Sequence, residues 1–368
     1  MKVAVLVSND LVHDQRVSKV CEALRADGHQ ITLIGRKTSQ SLPLDRPYRT
    51  RRMALGFSRG AGFYAMLQIR LFFYLLFRRF DVVHCNDLDT LLPAFLLRPF
   101  KRWTLVYDSH EYFTEAAGLT GRTFQKNVWL AVERWIFPRL KYVVTVNQSI
   151  ADIYKERYKA DVKVVRNIPR FAPPPKVSRA DLNLPENKHI ILLQGAYIDH
   201  DRGCLEAVEA MQWVDHALFL IIGSGQEIPA AKELCQKLGL QDRIRFMDKM
   251  PFDTLRQYTA AADVGLSVDK PLHLNYKLSL PNKLFDYIHC HTPVVATPLP
   301  EIRRIVETYH VGMLTKGYTA QDLADAINKL LESRNDSTWE THLAHAAQAL
   351  TWEKEQQVFL EIYNQIGR

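Results

Sequence analysis

Short apolar runs rich in Val, Ile and Leu alternate with longer helical patterns from one end of this 368-residue chain to the other, and that alternation leaves few folds open. Residues 2–7, 30–34, 81–84, 104–107, 142–146 and 162–165 read as strands, with helices expected over 16–27, 61–79, 88–97, 124–137 and 148–157. The strand runs are apolar on both faces, so each strand must be covered from both sides. That is the condition of a buried parallel sheet built from βαβ units. At 171–176 the text changes to Phe-Ala-Pro-Pro-Pro-Lys. Three consecutive prolines lack the N–H donors and the φ freedom that helix or sheet needs, which makes this the best linker in the chain. The alternation then restarts, with strands expected at 189–194, 218–222, 244–246, 264–267, 294–296 and 311–314, and a strong helix pattern over 352–366. The chain is also too long for one ordinary core. The expected fold class is α/β, with two doubly wound, Rossmann-like parallel-sheet domains, 1–170 and 171–351.

Charge is divided unevenly between these halves. Residues 1–170 carry 28 Lys/Arg against 15 Asp/Glu, and residues 171–368 carry 20 against 25. A half at +13 on a chain of net +8 calls for an anionic partner: nucleic acid, an anionic membrane or an acidic substrate. No basic–aromatic module of the kind that reads RNA is present, so no nucleic-acid partner is expected. The five cysteines are scattered without CxxC pairing or metal-ligand spacing, and the start of the chain has no signal-peptide cleavage site. Both features point to a reduced, cytoplasmic protein.

In open α/β sheets, ligands bind beyond the carboxyl ends of the strands, so unusual residues there carry the argument. After the strand at 104–107 comes Asp108-Ser109-His110-Glu111, a titratable cluster in the place where such enzymes keep working groups. Asp108, His110 and Glu111 are therefore candidate catalytic residues; a turn cap with a His110–Glu111 pair is the alternative. After 189–194 comes Gly195, then Asp199-His200-Asp201-Arg202-Gly203 before a helix. Arg202 beside free helix-entrance N–H groups suits a diphosphate, unless it pairs with Asp199 or Asp201. Gly223-Ser224-Gly225 follows the next strand and is expected to open a helix. It has neither the third glycine of a dinucleotide fingerprint nor a Walker Gly-Lys-Ser/Thr. Lys283 and Asp286, three apart on an expected helix, share one face. A cation for phosphate and a carboxylate for ribose would suit a nucleotide, and a surface ion pair is the alternative. Asp87-Leu88-Asp89 has an Asp-x-Asp form, but its place at a strand-to-helix turn reads as an N-cap and a first-turn acid. No metal site is expected.

Taken in order, Asp14-Gln15-Arg16-Val17, Asn86-Asp87, Tyr107-Asp108-Ser109-His110-Glu111, Val165-Arg166-Asn167-Ile168-Pro169, Arg202-Gly203, Gly223-Ser224-Gly225 and the run from Asn282 to Pro293 resemble the retaining glycosyltransferases of family 4. The resemblance spans nearly the whole chain and implies the GT-B fold, two Rossmann-like domains facing across a cleft. It implies that the last helix, 352–368, crosses back to complete the first domain. It further implies a nucleotide-sugar donor held by the second domain at Gly195, Arg202, Gly203, Gly223, Gly225, Lys283 and Asp286. In that picture Arg202 lies on the diphosphate, Asp286 on the ribose and His110 beside the donor sugar, with no metal and no other cofactor. Three positions depart from the family pattern. Leu278 stands where the first acid of the Glu-x7-Glu motif belongs, Ala196 replaces a second basic residue, and Ser8-Asn9-Asp10 replaces a glycine-rich loop. Lys283 is expected to take up phosphate charge in compensation.

The expected activity is transfer of a sugar, with retention, to a glycan or lipid-linked acceptor. The alternatives are a nucleotide-sugar epimerase or phosphorylase of the same fold, and a degenerate nucleotide-sugar-binding protein. Residues 61–77 are apolar on nearly every helical face and are flanked by Arg51, Arg52, Arg59, Arg78 and Arg79. With 17 residues and an internal Arg70 the segment is a poor membrane span. It reads either as an interfacial helix that lets residues 61–79 meet anionic headgroups on the inner face of the cell membrane, or as a helix fully buried against the first sheet.

Overall fold

The computed structural model of the chain describes residues 1–12 and 14–367, so Arg368 of the expected last helix lies outside the described residues. It contains two compact units, one formed by Met1–Asn167 with Glu355–Arg368 and the other by Ile168–Lys354. The first is built on seven parallel strands, β1 Lys2–Leu6, β2 Gln30–Lys37, β3 Arg49–Ala54, β4 Val82–Asn86, β5 Thr104–Ser109, β6 Tyr142–Thr145 and β7 Val162–Val164. Their order is β3-β2-β1-β4-β5-β6-β7. The second has six, β8 His189–Gly195, β9 Ala217–Gly223, β10 Ile244–Met247, β11 Val264–Ser267, β12 Val294–Ala296 and β13 Gly312–Leu314, in the order β10-β9-β8-β11-β12-β13. Both sheets reverse direction of growth beside their first strand, between β1 and β4 and between β8 and β11. At such a switch point the crossovers leave to opposite sides and open a crevice at the carboxyl ends.

The double alternation of strand and helix is as expected, but four local expectations change. β3, Arg-Thr-Arg-Arg-Met-Ala, has no apolar run and was not foreseen. It is the edge strand, where only Met53 is buried and charged side chains keep other strands from pairing. β5 runs on through Asp108 and Ser109, which are paired with Val144 and Thr145 of β6. The helix after Gly223-Ser224-Gly225 begins only at Ile228. The proline segment belongs to the second unit, where Arg256 donates to the carbonyls of Ala172 and Pro173, at 3.2 and 2.8 Å.

The apolar helix of the first unit spans Gly60–Leu76. Phe63, Leu67, Leu71 and Leu75, one i,i+4 line, are buried, so the fully buried alternative does not hold. On the opposite side Ile69, Phe73 and Phe77 are 51, 54 and 77% exposed. Its one buried-side polar group has a local reason. The helix Leu88–Lys101 continues through Pro93, which has no N–H for the carbonyl of Asp89 four residues earlier. Gln68 Nε2 donates to that carbonyl instead, at 2.5 Å.

The final helix, Trp352–Gly367, places Phe359, Ile362 and Tyr363 in the core of the first unit. Tyr363 Oη lies 3.0 Å from His84 Nδ1, and Glu355 accepts from the Arg166 backbone N–H and guanidinium. Spacing of three and four puts these apolar groups on one face, which is why the helix docks along that side.

Candidate functional site

In the first unit the titratable residues gather at the carboxyl ends of β4 and β5. Asp108 is fully buried and receives Arg16 in a forked pair, Nε to Oδ2 at 3.0 Å and Nη2 to Oδ1 at 2.7 Å. Arg16 donates its remaining arm to the Val165 carbonyl at 2.7 Å and lies over the Phe359 ring. Burial alone would raise the Asp108 carboxyl, but Arg16 and His110 hold it well below its ordinary range. With no solvent exposure, Asp108 acts on whatever binds here only through its neighbours.

His110 is partly exposed. Its backbone N–H donates to Asp87 Oδ1 at 2.8 Å, and its Nε2 lies 3.0 Å from Asn86 Oδ1 and 3.4 Å from Asp108 Oδ2. Nδ1 is 3.6 Å from Asp87 Oδ2. Desolvation works against the imidazolium, yet Asp87 and Asp108 raise its pKa to about 9. At neutral pH His110 is therefore a cation and a donor, suited to stabilising negative charge and not to accepting a proton. Asp87 sits at the helix start in a positive-φ conformation (φ 60°), and its side chain does not cap the helix. Holding His110 is its observed work, and burial raises its own pKa to about 7. Asp89 is buried in the first turn of that helix, its pKa pushed up to about 6 by desolvation. Glu111, next to His110, is half-buried, and its backbone carbonyl accepts from Ser109 Oγ at 2.7 Å.

In the second unit the centre is a residue that sequence reasoning passed over. Asp269, two positions beyond β11, is fully buried, and its Oδ1 lies 3.2 Å from Arg202 Nη1 and 3.5 Å from Lys283 Nζ. Among the described residues its Oδ2 has no hydrogen-bond partner. Two cations thus converge on one carboxylate, leaving an excess positive charge at the β8/β11 switch point. Arg202 is 29% exposed, with its guanidinium carbon 4.6 Å from the centre of the Tyr276 ring. Lys283 is only 11% exposed. Burial pulls its ammonium below the ordinary value although Asp269 opposes the shift. Arg202 therefore pairs with Asp269, and neither Asp199 nor Asp201 takes that place. Asp286 accepts from Gln194 Nε2 at 3.3 Å, on the helix Asn282–His289.

Close approach requires glycine at 203, 223 and 225. Gly203 has φ +71°, and a Cβ there would meet the Val268 carbonyl oxygen at 2.2 Å. This lets the turn that carries Arg202 lie directly on the end of β11, beside Asp269. Gly223 (φ +147°) stands in register with Gly195, whose carbonyl oxygen would be 1.9 Å from an added Cβ. Gly225 follows in the same turn, where Ile198 N–H donates to the Ser224 carbonyl at 2.7 Å. Gly223 and Gly225 therefore pack one strand-end loop on another, a different use from the helix entrance expected of them.

The structure brings Asp108, His110 and Glu111 together in one unit, with Arg16, Asn86 and Asp87 added. It brings Arg202, Gly203 and Lys283 together in the other, with Asp269 added. One signal was available for Asp269: an acid just past an apolar strand, the placement that drew attention to His110. For Arg16 the only signal was its place in the ordered motifs, because its partners lie 92 and 149 residues away.

The two halves match two family models, one described as Glycosyltransferase Family 4 over residues 15–171 and one as Glycosyl transferases group 1 over 188–333. The lipopolysaccharide core biosynthesis glycosyltransferase LpsD of Rhizobium meliloti is 32% identical over 30% of this chain and 32% of its own length. A D-inositol 3-phosphate glycosyltransferase of Corynebacterium jeikeium is 25% identical over 61% of this chain and 57% of its own. The chain thus matches between about a third and little over half of the length of these curated relatives. Among solved structures, sucrose-phosphate synthase from Thermosynechococcus elongatus superposes with a TM-score of 0.84 at 21% identity, covering 100% of this chain and 99% of that one. Anabaena Alr3699/HepE, solved in complex with UDP-glucose, superposes with a TM-score of 0.74 at 15% identity over 99% and 100%. These likenesses establish a shared GT-B fold.

Proposed function

Because the chain belongs to the GT-B glycosyltransferases of the family 4 type, we propose that it moves a sugar from a nucleotide-diphosphate-sugar donor to a glycan or lipid-linked acceptor. The observation that carries this reading is the half-neutralised cation pair, Arg202 and Lys283 on the single buried carboxylate of Asp269. A diphosphate placed against it meets the excess positive charge, and the same cations stabilise the charge that develops on the leaving phosphate. Supplying that stabilisation from side chains supports a reaction that needs no metal. The cationic His110 of the first unit is suited to stabilising negative charge, with Asp108, Asp87 and Asn86 fixing its ring. Retention of anomeric configuration rests on the family likeness. Asp286 is assigned to the ribose, where loss of its charged hydrogen bonds costs about 1.5–3 kcal/mol. UDP is the first nucleotide to test, since Alr3699/HepE was solved with UDP and with UDP-glucose. Calorimetric titration of UDP and uridine into the unaltered chain and Arg202→Ala tests the site. The substitution should weaken UDP binding and spare uridine, and equal losses would move Arg202 off the phosphates. Product analysis with labelled donor then separates transfer from epimerisation and from binding without turnover.

The acceptor reading includes the membrane. Among the described residues no helix is long and apolar enough to cross one. The exposed line Ile69, Phe73 and Phe77 ends at the exposed Arg78 and Arg79, an arrangement suited to lying in an anionic interface. The proposed location is cytoplasmic and peripheral, on the inner face of the cell membrane. Salt-sensitive co-sedimentation with anionic vesicles, weakened by Phe73→Ser with Phe77→Ser or by Arg78→Ser with Arg79→Ser, is the expected result. No sedimentation at low salt would refute it and favour a soluble acceptor.

A further inference from the structure

The first unit has a second concave surface at the opposite end of its sheet from His110. It is an open cleft of about 1060 Å³ where β1, β2 and β3 begin. Lys2, Arg25, Arg49, Arg51, Arg78 and Arg79 line it, and its lining contains no Asp or Glu. All six are exposed, and none of the six side chains makes an ion pair among the described residues. Two acids beside the lining have partners: Asp81 accepts from the Lys2 backbone N–H at 2.7 Å, and Asp27 lies 3.3 Å from His29. The aromatic rings of Tyr48, Tyr74 and Phe80 complete the walls.

Local reasons account for single members of this set. Arg49 and Arg51 protect an edge strand, and Arg25 lies in the last turn of its helix, where a cation is favoured. None of these reasons explains why cations from four separate elements converge on one concavity whose lining holds no acid. Like charges gathered in a cleft repel one another and focus a positive potential there, which an anion relieves. Several planar guanidinium groups together favour multiply charged oxyanions, phosphoryl groups among them, through forked hydrogen bonds.

We propose that this cleft is a second anion-binding site, which takes a ligand carrying two or more phosphoryl groups, either on a soluble phosphorylated saccharide or as clustered lipid headgroups. It lies one strand length, roughly 17 Å, from the carboxyl-end residues, and it is independent of the donor site proposed above. The test is calorimetric titration of tripolyphosphate into the unaltered chain, the Arg49→Ser/Arg51→Ser double variant and Arg202→Ala, with thermal melting to confirm that each is folded. Both cleft positions are exposed, so the double variant should melt as the unaltered chain does. Its affinity should fall at least about tenfold, the loss of roughly one charge-assisted contact. Arg202→Ala should keep a tripolyphosphate site, and binding should weaken as salt rises. Equal affinity in the unaltered chain and the double variant, or loss confined to Arg202→Ala, would overturn the proposal. A second arm uses phosphatidylglycerol vesicles. Sedimentation lost in Arg49→Ser/Arg51→Ser and blocked by tripolyphosphate identifies headgroups as the source, whereas tripolyphosphate binding without vesicle binding identifies a soluble ligand.

Discussion

Replacing Asp87 by Asn isolates the charge that keeps His110 protonated. The substitution retains the oxygen that accepts the His110 N–H at 2.8 Å, and Asn has the shape of the Asp that already holds this backbone conformation (φ 60°). It removes only the charge 3.6 Å from Nδ1. Coulomb's law gives about 4–5 kcal/mol for that separation at an effective dielectric of about 20. The two side chains are 20 and 24% exposed, so solvent screening reduces this to about half. At 1.36 kcal/mol per pH unit, the His110 pKa should fall by about 1.5–2 units, from about 9 to about 7. The sign in stability follows from linkage. A histidine whose pKa is raised on folding contributes stability that is complete below about 6.5 and is lost as pH rises through about 9. For the unaltered chain that contribution is about 3 kcal/mol, and the variant should keep about 1. Asp87 itself, raised to about 7, changes its proton binding only below neutrality, so comparing the slopes of unfolding free energy with pH above 7 separates the two. The assay is an NMR titration of the His110 ring, assigned with His110→Gln, alongside urea unfolding. A midpoint unchanged to within about half a unit would refute Asp87 as the counter-ion and leave Asp108 in that role.

Asp269→Asn should destabilise the chain by about 3–5 kcal/mol at neutral pH, since it strands two cations on a buried amide. The deficit should shrink as pH rises, because the folded-state pKa of Lys283, already lowered, falls further and the ammonium can shed its proton; urea unfolding at neutral and alkaline pH checks both statements. Gln68→Leu leaves the Asp89 carbonyl without its donor and should lose about 1–3 kcal/mol in chemical denaturation. Gly223→Ala meets both a positive φ and a backbone oxygen 1.9 Å away, and should lower thermal stability by the equivalent of about 3 kcal/mol or more.

The amino-acid sequence alone determined the class of the fold, because burial on both faces of a strand is written locally, in runs such as Val3–Leu6 and Ile190–Leu193. Positions that depend on a strand's end were equally legible. His110 and Arg202 stand out since a polar or charged group just past an apolar run is placed by the run itself. Tertiary structure decided what those groups are. The strand order puts β4 beside β5, so Asn86 and Asp87 reach His110, and the docking of the first helix brings Arg16 to Asp108 across 92 residues. Asp269 likewise gains its role only when β11 lies next to β8 and the Gly203 turn settles on its end. β3 escaped notice because an edge strand pairs through its backbone while its side chains stay in water, leaving no apolar period to read. The exposed side of the Gly60–Leu76 helix was hidden for the opposite reason: its apolar residues surround the axis, and only the sheet and the neighbouring helix determine which of them are covered.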